Sequence, residues 1–125
     1  MMNLKEYFSS IKGTGVLSTA DDKWEVNAAV YATPHFMEEG LIAFIMRENK
    51  TYRNISSNPH ACFLFIEDGK MDGKRLYLTK VKEEKNTELL HSLRKRKYQD
   101  DDTKNLYLVY FTVDKVRPLI GDQEK

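Results

Sequence analysis

Three residues of one short polar segment, Arg47, Lys50 and Thr51, carry the side chains needed to hold an anion. Asn49, directly ahead of Lys50, is a good helix N-cap, because its side-chain oxygen can accept a bond from a free first-turn N–H. A helix that begins at Lys50 gathers unpaired N–H groups and a partial positive charge, which suits a phosphate. Lys50 adds a full charge there, Thr51 a hydroxyl donor and Arg47 a second cation. The plainer alternative is a capped helix whose Lys50 and Arg47 are simply solvated.

Other chemistry is sparse. His35, His60 and His91 are scattered without ligand spacing, and no carboxylate pair stands apart from the solvated acidic turns. No HExxH, GxSxG, Walker or GxGxxG pattern occurs, so zinc, hydrolase and dinucleotide mechanisms find no support. The single cysteine, Cys62, has no disulfide or CxxC partner and falls in an apolar run, where a buried and inert thiol is expected. With no protein-borne nucleophile or base, a bound cofactor must carry any catalysis.

The elements that must position the polar segment flank it closely. An apolar run at 41–46 reads as a buried strand and a second at 61–66 as another. Between them Tyr52 and Ile55 share a helical face, and Asn58-Pro59 ends the helix because a residue before proline avoids the αR region. Ahead of this unit, Asn3 and Glu6 have capping-box spacing, and Leu4, Tyr7, Phe8 and Ile11 form one face of a short helix closed by Gly13. Strands are expected at 14–20 and 25–33, joined by an Asp21-Asp22 turn. The middle of the second, Asn27-Ala28-Ala29-Val30, is small-sided, which lets a flat group approach the backbone or serves ordinary tight packing.

Beyond residue 66 a loop rich in turn residues leads to a strand at 74–81 and a helical pattern at 83–98, with Leu89, Leu90, Leu93 and Lys97 on one face. The run Arg94-Lys95-Arg96-Lys97 complements a helix C-terminus and is offset by Asp100-Asp101-Asp102. The run at 106–113 is apolar on both faces, implying a barrel interior on one side and helices or a second subunit on the other. A last short strand at 116–120 is interrupted by Pro118. The pattern is mainly β, with six or seven strands, a helix in front and one late, in an α+β or all-β barrel. At 125 residues one domain, 1–125, is expected, and 20 basic against 19 acidic residues give no field favouring nucleic acid or a membrane. The opening residues do not resemble a signal peptide and the apolar runs are too short to span a bilayer, so a cytoplasmic location is expected.

The order GVLST, VNAAVYATP and LIAFIMRENKTYRNISSNPHACFLFI resembles the pyridoxamine 5′-phosphate oxidase-like, FMN-binding split β-barrel superfamily, and most of all its small stand-alone FMN-binding proteins. The resemblance covers about residues 13–121. It implies a six- to seven-stranded antiparallel split β-barrel with flanking helices, and a homodimer holding FMN at the subunit interface. It places Lys50 and Thr51, and Arg47 beside them, at the phosphate. The backbone of Asn27, Ala28, Ala29 and Val30 would lie along the flavin ring and ribityl chain, with Ile45 and Met46 beside the ring. The implied activity is flavin-dependent reduction or electron transfer with a small-molecule or protein donor and acceptor, and no catalytic residue is indicated. The segment Val116-Arg117-Pro118-Leu119-Ile120 lacks the Trp- and Arg-bearing tail of true pyridoxamine-phosphate oxidases, so vitamin B6 oxidation is not implied. Other branches bind haem or a deazaflavin, and the alternative is a non-catalytic flavin or haem carrier or sensor.

Overall fold

The computed structural model describes residues 3–93 and 106–121. The basic run from Arg94 and the acidic run from Asp100 lie outside the described residues. In chain order the elements are α1 (Leu4–Ser10), β1 (Gly13–Ala20), β2 (Val26–Tyr31), β3 (His35–Phe36), a single 3₁₀ turn (Glu38–Gly40), β4 (Ile42–Arg47), α2 (Lys50–Ser57), β5 (His60–Glu67), β6 (Gly73–Lys85), α3 (Glu88–Leu93) and β7 (Leu106–Pro118).

Every strand pairing is antiparallel, and the sheet runs in the order β2-β1-β5-β6-β7-β4-β3. It is curled into a half-barrel. Tyr31 of β2 and Phe44 of β4 stand far apart in that order, yet their rings meet edge-on at 5.8 Å. Inside the curl lie Leu17, Phe44, Met46, Phe63, Phe65, Leu76, Leu78, Val109 and Phe111, all nearly or fully buried. Burying each of these side chains is worth about 1.5–3 kcal/mol, which makes this interior the main source of stability.

The helices seal the curl. Asn3 caps α1 through the Glu6 N–H at 2.8 Å, and its amide also donates to the Glu6 carboxylate at 3.0 Å. Tyr7 and Phe8 then enter the core, where Phe8 lies 4.9 Å from Phe65 in a T-shaped pair. At the other end of β1, α2 contributes Ile55 to the same core. The outer face of β4 and β7 is covered by α3, whose Leu90 packs with Ala43, Leu106, Leu108 and Tyr110. The doubly apolar run at 106–113 therefore finds its second cover within one chain.

Among the boundaries that differ from the sequence reading, four change what an element does. Gly13 opens β1 instead of capping α1, because a Cβ there would lie 2.1 Å from the Ile66 carbonyl oxygen; glycine is needed for strand approach. The strand expected at 74–81 runs on to Lys85, since Glu83 and Glu84 pair with Val109 and Leu108 across the ladder. The late helix consequently starts at Glu88, and Leu89 is 41% exposed instead of sharing the buried face of Leu90. The two expected C-terminal strands are one, β7, bent by irregular register where Tyr77/Leu78 of β6 face Lys115/Val113.

Candidate functional site

The polar segment lies where the sequence places it. Asn49 accepts from the Tyr52 N–H at 3.2 Å through its side chain and from the Arg53 N–H at 2.9 Å through its carbonyl. Among the described residues this leaves the Lys50 and Thr51 amides as the first-turn donors with no protein acceptor. Both point along the helix dipole toward the end where an anion is stabilised.

Thr51 is only 2% exposed, and its hydroxyl oxygen accepts from the side-chain amide of Asn27 at 3.3 Å. The residue bonded to Thr51 thus sits on β2, within the small-sided segment. With the oxygen accepting from Asn27, the Thr51 hydroxyl proton has no acceptor among the described residues. A buried hydroxyl without an acceptor is costly and marks a place where a ligand oxygen would be welcome. Lys50 stands at the rim, with its ammonium 3.8 Å from Asp21 and 3.8 Å from Glu25.

Those two carboxylates come from the β1–β2 turn, which the sequence reading did not connect to the site. The turn is built by Asp21, whose carboxylate accepts from the Lys23 and Glu25 N–H groups at 2.8 and 2.9 Å. These two bonds, first Glu25 and then Lys23, hold the Asp21 carboxyl below its usual range, with a smaller contribution from Lys50. The only sequence signal was Asp21 itself, a residue type that bonds N–H groups two residues ahead.

A second unforeseen feature lies beneath the helix. Its buried face carries Thr51, Asn54 and Ile55, so two of its three inward residues are polar. The Asn54 amide donates to the Thr19 hydroxyl at 3.1 Å, and Asn58 reaches the Asp21 carbonyl at 3.4 Å. This network ties α2 to β1 and fixes the helix end relative to β2. The i, i+3 and i+7 spacing of Thr51, Asn54 and Asn58 was the readable clue.

The remaining sequence-predicted residues divide. Among the described residues β2 is an edge strand paired only with β1, so alternate N–H and C=O groups of Asn27, Ala28, Ala29 and Val30 have no strand partner there. Asn27 and Ala29 are half-buried, whereas Ala28 and Val30 are exposed on the outer face. Met46 is 1% exposed and its side chain belongs to the barrel core. Ile45 points the other way, onto the α3 side. Arg47 is exposed at the end of β4, and its carbonyl accepts from the Asn49 N–H at 2.9 Å. The structure therefore brings Asn27, Lys50 and Thr51 together and turns the Met46 side chain into the core and the Ile45 side chain toward α3.

Beside the turn after β4, Tyr52 stacks on Tyr107 with centroids 4.0 Å apart. The Tyr52 hydroxyl donates to Glu83 at 2.6 Å, and Tyr107 to Glu48 at 3.0 Å. Burial, reinforced by Glu83, raises the Tyr52 phenol far above its ordinary value. Among the described residues no group of three or more His, Cys, Asp or Glu could hold a metal ion, and no helix is long and apolar enough to cross a membrane.

No family model matches the chain, and no curated protein does. Solved structures do. An FMN-binding protein from Syntrophomonas wolfei subsp. wolfei superposes with TM-score 0.74 at 22% identity, covering 93% of this chain and 83% of that one. A pyridoxamine 5′-phosphate oxidase-related, FMN binding protein from Nostoc punctiforme gives 0.61 at 12%, over 84% and 72%. HutZ, the heme storage protein from Vibrio cholerae, gives 0.64 at 20%, over 91% and 90%.

Proposed function

Because this chain has the split β-barrel fold of the pyridoxamine 5′-phosphate oxidase-like, FMN-binding proteins, we propose that it binds FMN and acts as a flavin-dependent oxidoreductase or electron-transfer protein. The observation that carries the reading is Thr51: a hydroxyl 2% exposed, fixed by Asn27, with its proton unpaired beside two free first-turn amides. These donors, with the Lys50 charge, fit a phosphate monoester. The flavin ring would lie along the open edge of β2, where Asn27 to Val30 offer backbone donors and small side chains. Bound there, FMN supplies one- and two-electron redox chemistry. The chain's own residues anchor the phosphate and position the ring.

A second copy of the chain completes the proposed site. Val26 and Val30 are 80% and 75% exposed, and Ala28 lies exposed between them on the same face of β2. Next to them Val16 and Leu64 occupy the outer side of β1 and β5 in direct register with Val30 and are only half-buried. An apolar sheet face of this kind is the expected surface for a homodimer. The reading places the protein in the cytoplasm with a small-molecule or protein electron partner.

The test is a visible spectrum of purified protein before and after excess FMN and desalting. Retained flavin absorbance, lost in Lys50→Ala, supports the reading; a protein that takes up no FMN refutes it. A non-catalytic haem carrier is the second reading, favoured by the likeness to HutZ, and a Soret band on haem titration would establish it. Tight flavin binding without turnover by NAD(P)H and a generic acceptor would leave a flavin carrier.

A further inference from the structure

Tyr107 of β7 pairs with Met46 near the end of β4 and with Lys85 at the end of β6, so it stands just ahead of the turn into α2. Its hydroxyl donates to the Glu48 carboxylate at 3.0 Å, and its ring stacks on Tyr52 at 4.0 Å. Glu48 and Tyr52 flank Asn49, Lys50 and Thr51, the residues that cap α2 and form its anion-facing end. One ring, itself only 7% exposed, therefore holds both shoulders of that turn against the barrel. The stretch of β6 that runs on past Val81 locks the pair from outside. The Tyr52 hydroxyl donates to Glu83 at 2.6 Å, and Glu83 is paired with the Lys80 ammonium. Lys80 and Lys85 place their ammonium groups 5.9 and 5.6 Å from the centres of the Tyr52 and Tyr107 rings, where a cation is attracted to the ring face. Thr51 is tied separately, to Asn27 of β2.

We propose that Tyr107 is the positioning residue of the α2 site and sets its preference for a phosphate-bearing ligand, an inference that rests on the flavin reading above. Donors discriminate most sharply when their geometry is fixed before the ligand arrives, because a loose turn must be ordered at the expense of affinity. Tyr107 supplies that order through Glu48 and Tyr52. The effect falls on the phosphate, which meets the turn, and not on the flavin ring, which the reading lays along β2.

The test compares two substitutions of the same chemistry. Tyr107→Phe keeps the stacked ring and loses the bond to Glu48. Tyr7→Phe loses a comparable hydroxyl bond, 2.6 Å to Glu67, at the α1 end of the barrel. Quenching of flavin fluorescence gives Kd for FMN and for riboflavin. Tyr107→Phe raises the FMN value ~10-fold or more and the riboflavin value less than ~2-fold, whereas Tyr7→Phe leaves both within ~2-fold. Hydrogen exchange in ligand-free protein reads the same role without a flavin. The Tyr52 and Arg53 amides, both bonded to Asn49, exchange ~10-fold faster in Tyr107→Phe and at the parent rate in Tyr7→Phe. Unaltered exchange, unchanged FMN binding, equal loss of FMN and riboflavin, or equal weakening by Tyr7→Phe would overturn the proposal and leave the flavin reading standing. A parent protein that takes up no FMN defeats that reading instead. Inorganic phosphate, followed through the Lys50 and Thr51 amide resonances, then decides the role of Tyr107: binding weakened ~10-fold in Tyr107→Phe supports it, and undiminished or absent phosphate binding overturns it.

Discussion

Replacing Thr51 by valine separates the site's role in binding from its role in folding. Valine has nearly the shape of threonine, so at a position 2% exposed it opens no cavity. Two polar terms then oppose each other. Asn27 loses an acceptor at 3.3 Å, a long bond at the weak end of the range and one that a half-buried amide can replace with water. Against that, removal of a hydroxyl whose proton has no acceptor relieves a buried unsatisfied donor. The net change in apo stability is within about 1 kcal/mol. Ligand affinity behaves differently, because a hydrogen bond to a charged group contributes about 1.5–3 kcal/mol, a loss of roughly 10- to 150-fold in Kd. Urea denaturation reads the first quantity and quenching of flavin fluorescence the second. Thr51→Ser, which keeps the hydroxyl, should bind within a few-fold of the parent. Valine binding FMN as tightly as threonine, or costing more than about 3 kcal/mol in apo stability, would show that the hydroxyl serves the fold and not a ligand.

Gly73→Ala would bring a Cβ to 1.9 Å from the Phe65 carbonyl oxygen, so the β5–β6 ladder must move apart; a loss of about 1–3 kcal/mol or more is expected from urea midpoints. Leu78→Ala, in the barrel core at 2% exposure, should cost about 2–5 kcal/mol by the same assay. The pH dependence has two flanks. Glu83 is pushed up by burial, but the Lys80 ammonium and the Tyr52 hydroxyl outweigh this and hold it below the usual range, as the turn N–H groups do for Asp21. Both carboxyls bind protons more weakly folded than unfolded, so their stabilisation is complete above about pH 5 to 6 and declines as pH falls below it. Tyr7 and Tyr52 are raised, first by burial and then by Glu67 and Glu83, so stability also declines as pH rises above about 10. Urea midpoints at pH 3, 7 and 10.5 check this, and a flat profile would count against both networks.

The sequence by itself determined the strand, turn, helix and strand that carry the candidate site. Asn49 caps the helix and Asn58-Pro59 ends it through interactions spanning a few residues, so the chemistry of those residues is sufficient. The apolar face of α1 was legible for the same reason, since Tyr7 and Phe8 repeat at helical spacing. Only the tertiary structure decided what surrounds Lys50 and Thr51. Asn27 reaches Thr51 across 24 residues of sequence, and Asp21 reaches Lys50 from a turn whose direction depends on the β1–β2 register. The extent of β6 and β7 was decided in the same way. Glu83 and Glu84 look helical locally, but pairing with Val109 and Leu108 satisfies their backbone and keeps the doubly apolar strand inside the sheet. Local propensity differs by tenths of a kcal/mol per residue, whereas a ladder against a buried strand gathers many contacts at once, and no single segment of sequence contains that sum.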